Sequence, residues 1–480
     1  ERTGVALPPA DQLAHYSGAG MTLGLPLTDD DRATDEPLVL PPALQPLHVG
    51  WFGRTGAGKS TALVNAMLAN HRATEGASIL IGPKGDGMGK DYLRAHSAEY
   101  GSLDDVLYFD CAAVLPAISF FDIRGELDAG IPRETAVADA VDHYIEILRA
   151  IMGRDRFDQA VRSPDIIRYL VKALFDPVHG SDAFTHRQLH EATRRMHERQ
   201  SAPAVSDDDL ERMLGGVVAN RAQTFDEIMQ GVANRIEKVP VDRRLARLVN
   251  HGHGAENENG DGDDAGPRFD LLDFLDENVV IVFDTGGLRT EAQRVLALLI
   301  LSELWTALKR RRKRAVTEDL PLVNCYIEEA ASIAVSDLLQ ELLSQSRSFD
   351  CSVTLAMQFP AQLRGYDQDV YDEILNNVST VLTGNVPSDA RFAQRLATDD
   401  MDPQQVGNRM RALRRGQWLV SLPAAFDRPE PRPVLVQSAP LPPGHPDGDR
   451  ALSFDEQSAL AAAQIGMQAR TRAAYGLGLR

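Results

Sequence analysis

Residues 53–61 read Gly-Arg-Thr-Gly-Ala-Gly-Lys-Ser-Thr, directly after an apolar run and at the head of a helix-like pattern. The spacing is G-x-x-x-x-G-K-[ST], in which glycines let the backbone wrap an anion and a helix N-terminus faces it. Gly53, Arg54, Thr55, Gly56, Ala57, Gly58, Lys59, Ser60 and Thr61 are therefore the nucleotide-binding candidates. Lys59 can bridge the β- and γ-phosphates, and Ser60 can ligate Mg²⁺. A glycine-rich helix start carrying an ordinary surface lysine would not need strand, loop and helix all in register. The junction is read as a cradle for a nucleoside triphosphate.

Such a cradle calls for a carboxylate at the tip of another buried strand, to hold Mg²⁺ and align water. Two strands offer one. "LVNCYIEEAASIA" ends in Glu328 and Glu329, adjacent acids that can divide the work: the first faces the metal, the second polarises the attacking water. "NVVIVFD" ends at Asp284, which has no acidic neighbour; a turn role explains it, with Thr290 to Gln293 read as a capping box. The pair Glu328 and Glu329 is preferred, with Glu328 and Ser60 as the metal ligands. Gln358 ends a further strand, at the edge where open α/β sheets bind ligands. A neutral amide there can sense the γ-phosphate, or simply be a polar strand end. Arg347, before the same strand, is either a surface arginine or a finger reaching a neighbouring subunit's nucleotide.

These groups must be carried by short buried strands. "LHVGWFG" (47–53), "SILIG" (78–82) and "VLYFD" (106–110) read as parallel strands bounded by turns. Between about 126 and 250 the pattern is helical with no convincing strand. Strands resume at 278–284, 322–328, 352–358, 378–384 and 417–422. The expected organisation is an extended N-terminal arm (1–42), a first part of the nucleotide-binding domain (43–125) and an all-helical insertion (126–250). An acidic flexible loop (251–268), the second part of the domain (269–422), and a Pro-rich linker with a helical tail (423–480) follow. His251 and His253, beside the acidic loop, are read as solvated and not as metal ligands.

The chain has 480 residues, 43% of them hydrophobic, and a formal net charge of −19. That charge argues against a protein that simply coats nucleic acid, since phosphate contacts need local positive charge. The dense basic cluster, "KRRRKR" at 309–314, can meet phosphates but reads more readily as a hydrated helix end. Lysine occurs only at 59, 84, 90, 172, 238, 309 and 313; this Lys-poor, acidic composition fits a halophile or a GC-rich genome. Cys111, Cys325 and Cys351 are too scattered for a disulfide framework or zinc site, which suits a reducing compartment. Apolar runs fall short of the ~18 residues a bilayer span needs. The chain begins at Glu1, which leaves room for an upstream anchor.

Taken together these motifs resemble the HerA and FtsK superfamily of ring-forming P-loop ATPases, and within it the type IV secretion coupling proteins. "GRTGAGKST" resembles their phosphate loop, "IEEAASI" their acidic strand end, and "SRSFDCSVTLAMQFPAQL" their arginine, strand and glutamine block. "IGPKGDG" (81–87) is similar to a Lys-Gly-acid motif of the coupling proteins. The resemblance, over about residues 44–422, implies a RecA-like α/β fold with a mostly parallel sheet flanked by helices, plus an all-helical inserted domain. It implies ATP and Mg²⁺ as cofactors, Glu329 as the water-activating base, Gln358 as the γ-phosphate sensor and Arg347 as a finger acting in trans. It further implies a homo-oligomer, a hexameric ring, driving DNA through its channel in a conjugation or secretion complex, in the cytoplasm at the inner face of a membrane. Two residues depart from the pattern: Glu328 and Gly82 each stand where aspartate is usual. Two rivals stay open, a related secretion or pilus-assembly ATPase that moves protein, and a nucleotide-gated scaffold with little turnover. A small-molecule kinase would leave the acid pair, Arg347 and Gln358 without roles.

Overall fold

The computed structural model describes residues 8, 10–28, 30–83, 87–152, 157, 162–239, 243–251, 267–315, 319–333, 336–359, 368–386, 390–398, 401–425 and 428–478. Residues 84–86 of the Lys-Gly-acid motif and residues 252–266 of the acidic loop lie outside them. The chain divides into two compact units: residues 1–110, 273–287 and 317–471 form one, and 111–272, 288–316 and 472–480 the other.

The first unit is built on an eleven-stranded sheet. In chain order its strands are β1 (Met21–Pro26), β2 (Leu38–Leu40), β3 (Val49–Phe52), β4 (Ser78–Gly82), β5 (Val106–Asp110), β6 (Val280–Asp284), β7 (Val323–Glu328), β8 (Cys351–Met357), β9 (Thr380–Thr383), β10 (Gln417–Ser421) and β11 (Val434–Gln437). Across the sheet they run β2-β1-β11-β10-β9-β3-β8-β7-β4-β6-β5. From β9 to β5 every pairing is parallel; from β9 to β2 every pairing is antiparallel. The central strands are buried along their whole length, as parallel strands covered on both faces must be. Helices α1 (Lys59–His71) and α2 (Met88–Tyr100) contribute Leu63, Met67, Tyr92 and Leu93 to the same core as Trp51, Leu80 and Tyr326 of the sheet. A large, mostly parallel sheet flanked by helices is the fold class expected from the sequence.

The domain boundaries need correcting at both ends. The stretch 1–42 is not merely an extended lead: β1 and β2 belong to the sheet, and Met21, Leu23 and Leu40 are buried in its core. The Pro-rich stretch 423–448 likewise supplies β11, whose Val434 and Val436 are buried. The apolar side chains in both segments are few, but they complete an antiparallel edge, and edge strands can be this short.

Among its described residues the second unit is helical apart from two short ladders. Its helices include Arg133–Met152, Ser163–Leu174, His186–Arg199, Asp208–Val218 and Ala222–Ile236, packed around Leu148, Ile167, Leu170, Met229 and Ile236. Phe121–Asp122 pairs with Ala183–Phe184, so the insertion is not strictly all-helical; Val114–Pro116 pairs with Gly476–Gly478. Helix α3 (Thr290–Arg314), expected to lie with the nucleotide-binding part, groups here instead. It is buried nearly all round, and Ser302 and Lys309 on it contact His143 and Asp139 of the Arg133–Met152 helix. Thr290 is already inside this helix, Arg289 is its N-cap, and no side chain caps it, so the expected capping box is absent.

Candidate active site

Strand β3 ends at Phe52 and α1 begins at Lys59, which leaves residues 53–58 as the connecting loop. Gly56 and Gly58 hold φ of 80° and 97°, backbone that an L side chain resists, and Gly58 is the N-cap of α1 with no side-chain cap. The helix thus presents its first N–H groups toward the loop. Both ends of the cradle are anchored: the Gly53 N–H donates to the Met357 carbonyl at the end of β8 (3.2 Å), and the Gly416 N–H, in the turn before β10, to the Ala57 carbonyl (3.0 Å). Lys59 Nζ donates to the Gly53 carbonyl at 2.5 Å and to the Arg54 carbonyl at 3.4 Å, which curls its ammonium over the loop. Arg54, Thr55 and Gly56 are exposed; Ala57, Gly58, Lys59, Ser60 and Thr61 are half-buried.

Opposite the cradle stands the tip of β7. Ser60 Oγ donates to Glu328 Oε1 at 2.9 Å, across 268 residues of sequence. Glu328 is buried, 6% exposed. An ionisable side chain this deep needs a compensating partner, and two oxygens facing each other form the hard donor set that Mg²⁺ prefers. Glu329 follows with φ 51° and ψ 41°, a left-handed conformation uncommon for a non-glycine residue, and turns the chain into the 3₁₀ segment Ala330–Ser332. Strained backbone of this kind collects at functional sites.

Gln358 lies just past the end of β8, half-buried. Its strand is paired on one side with β3, where Met357 is opposite Phe52, and on the other with β7, where Ala356 is opposite Glu328. Gln358 therefore sits at the strand end between the cradle and the acid pair. The structure thus brings together the cradle, Lys59, Ser60, Glu328, Glu329 and Gln358 at the C-terminal edge of the parallel strands.

Arg347 is not among them. It is exposed in the turn Ser346–Phe349, before β8 begins, and so at the opposite edge of the sheet. Its charge is felt instead at His48, at the start of β3: burial, together with Arg347, pushes that imidazole down to about 4. A strand the length of β8 spans roughly 20 Å. Arg347 cannot reach the cradle of its own chain.

The other sequence candidates are accounted for. Asp284 is buried at the tip of β6, where Tyr108 Oη donates to Oδ2 at 2.5 Å and the Gly286 N–H to Oδ1 at 3.0 Å, a strand-end role. In the basic cluster, Lys309 pairs with Asp139, Arg310 makes two hydrogen bonds to Asp270, and Arg311 is 3% exposed; Lys313 and Arg314 are exposed. One relation escaped the sequence. A Cβ on Gly82 would stand 3.7 Å from Glu328 Oε2, so the two departures from the resembled pattern are neighbours in space. An aspartate at 82 would set a second negative charge against Glu328; glycine leaves the longer carboxylate room.

Residues 322–399 match the family described as "TraM recognition site of TraD and TraG". No curated protein matches the sequence. Among solved structures, the bacterial conjugative coupling protein TrwBdeltaN70 in its unbound form is 14% identical, with a TM-score of 0.57 over 90% of this chain and 92% of that one. The plasmid coupling protein TrwB in complex with ADP and Mg²⁺ is 15% identical, with a TM-score of 0.54 over 91% and 94%. VirB4 of Thermoanaerobacter pseudethanolicus is 14% identical, with a TM-score of 0.50 over 88% and 97%. The likeness to the type IV coupling proteins seen in the motifs thus extends to the fold, over most of the chain.

Proposed function

We propose that this protein is an ATP-hydrolysing motor that moves DNA, working as a homo-oligomeric, hexameric ring in a conjugation or type IV secretion-like apparatus. The observation that carries the reading is the direct contact of Ser60 with Glu328, which joins a phosphate cradle to a paired-acid strand tip inside a coupling-protein fold. The loop N–H groups and Lys59 hold the β- and γ-phosphates, and Lys59 exchanges its loop carbonyls for phosphate oxygens. Ser60 and Glu328 are the residues that would hold Mg²⁺, which supplies charge neutralisation along the phosphates. Glu329, the residue after Glu328 at the same strand tip, accepts the proton of the attacking water. Gln358, between cradle and acids, reports the γ-phosphate to β8. Arg347, at the far edge of its own sheet, serves the nucleotide of the next subunit. TrwB, a protein of this fold, was solved with ADP and Mg²⁺, which supports the same cofactors here.

DNA is gripped under this reading by backbone hydrogen bonds and shape more than by charge, since the first three residues of the basic cluster are tied up internally. No helix among the described residues is long and apolar enough to cross a membrane. Work at the inner face of a membrane would then depend on partners or on further chain.

The test is ATP turnover with and without DNA for the wild type, Lys59→Ala and Glu329→Gln. DNA-stimulated turnover that both substitutions abolish is the expected result. Turnover indifferent to DNA would overturn the reading in favour of a protein-moving ATPase. Tight ATP binding with negligible turnover would make the protein a nucleotide-gated scaffold.

A further inference from the structure

A second cluster of ligating side chains lies in the sheet-bearing unit, away from the cradle. His71 is the last residue of α1, His96 lies in the C-terminal half of α2, and Asp105 immediately precedes β5. His71 Nε2 is 3.0 Å from Asp105 Oδ2, and His96 Nε2 is 3.0 Å from Asp105 Oδ1. Among the described residues this is the one group of three such side chains whose ligand atoms all lie within 4.8 Å of one another. No sequence spacing announces it.

We propose that His71, His96 and Asp105 form a binding site for a divalent transition-metal ion of the zinc type. Both imidazoles are buried, at 5% and 0% exposure, and both turn the same ring nitrogen toward one carboxylate. Two imidazoles and a carboxylate are the donor set that suits Zn²⁺ in preference to Mg²⁺ or Ca²⁺. The Asp105 side chain is 35% exposed, which opens one side to a water as the fourth ligand.

The surroundings fit a cation. The site receives the C-terminal ends of two helices, where the peptide dipoles present partial negative charge. Tyr92 Oη, 3.3 Å from His96 Nδ1, fixes that ring through its outer nitrogen, as the partner of a metal-bound histidine does. The Tyr100 ring packs against both imidazoles, with centroids at 5.2 and 4.6 Å. Along α1, His71 lies about 18 Å from Lys59, too far to touch nucleotide. The metal is structural: it ties the end of the cradle helix to α2 and to the start of β5.

The inference does not rest on the motor reading, and its test is separate. Untagged, chelator-stripped, nucleotide-free protein is titrated with Co²⁺ and followed by visible absorption, then challenged with Zn²⁺. One Co²⁺ per chain, with the intense absorption of a four-coordinate site and displacement by Zn²⁺, is expected. The signal should vanish in Asp105→Ala and His96→Gln but persist in Ser60→Ala, and Zn²⁺ should raise the melting temperature of the wild type. A wild type that takes up no Co²⁺, leaving the carboxylate as a mere hydrogen-bond partner of two imidazoles, would overturn the proposal. So would an unchanged signal in a folded Asp105→Ala.

Discussion

Arg310→Met should destabilise the helical unit, although Arg310 belongs to the cluster that the sequence offers for DNA. The Arg310 and Asp270 side chains are only 8% and 6% exposed, and the guanidinium makes bonds of 3.1 and 2.9 Å to the two carboxylate oxygens. Burial pushes the Asp270 carboxyl up, but the Arg310 charge and hydrogen bonds outweigh it and hold the group below its ordinary range. Removing Arg310 leaves the buried Asp270 with only the largely exposed Arg268 at 2.9 Å and the Leu272 N–H as partners, so the cost should lie near the lower end of what breaking a buried pair costs, about 3 kcal/mol. Methionine keeps most of the volume, so the loss is electrostatic. Replacing both residues, as Arg310→Met with Asp270→Leu, should recover most of the stability, because a buried pair and an apolar pair differ little. Because the Asp270 pKa is depressed on folding, its contribution is present above the unfolded value and is lost as pH falls through the folded one. Urea unfolding of wild type, Arg310→Met, the double variant and Lys313→Ala, with DNA affinity measured on each, supplies the test. An Arg310→Met protein within about 1 kcal/mol of wild type that has lost DNA affinity would refute the reasoning.

Three further outcomes follow from the geometry. Burial raises Glu126 to about 7, and burial with the Asp270 charge raises Glu303 to about 8. Both are protonated in the folded state at pH values where the unfolded chain is ionised, so their contribution is full below about pH 4.5 and is lost as pH rises toward 8; for Glu126 this amounts to about 3 kcal/mol. Glu126→Gln and Glu303→Gln should flatten the fall in urea midpoint between pH 5 and 8.5. Ser60→Ala should cost about tenfold in ADP affinity with Mg²⁺ present and little without it, read by calorimetry. Gly82→Asp should weaken binding of Mg²⁺-free ATP by setting a second carboxylate beside Glu328, an effect that Gly82→Asn should lack.

The cradle was legible because everything it needs is local: three glycines, a lysine and a serine between one strand and one helix. Glu328, Glu329 and Gln358 could be placed because parallel strands deliver their C-terminal ends to a common edge. What stayed hidden depends on partners distant in sequence. β2 (LVL) and β11 (VLVQ) are apolar but only three and four residues long and set among prolines, and β1 is interrupted by Gly24, so they announce themselves as strands only where the sheet receives them. The sequence offers α3 a capped start and a basic end, but nothing in it says which unit the helix joins. The basic cluster reads as solvated because Asp139 and Asp270, which neutralise two of its members, lie far upstream. Gly82 and Glu328 look like two independent departures until the register of β4 and β7 makes them neighbours.

The most direct test of the central claim mixes two proteins that the proposed motor predicts to be inactive alone. Under that proposal Lys59→Ala would lack a working cradle but keep Arg347, and Arg347→Ala would keep its cradle but have no finger to lend. A nucleotide clamped between subunits predicts that mixed oligomers regain DNA-stimulated ATP turnover that neither protein shows alone. Turnover in the mixture no greater than the sum of the two, with mixed oligomers shown to form, would contradict it.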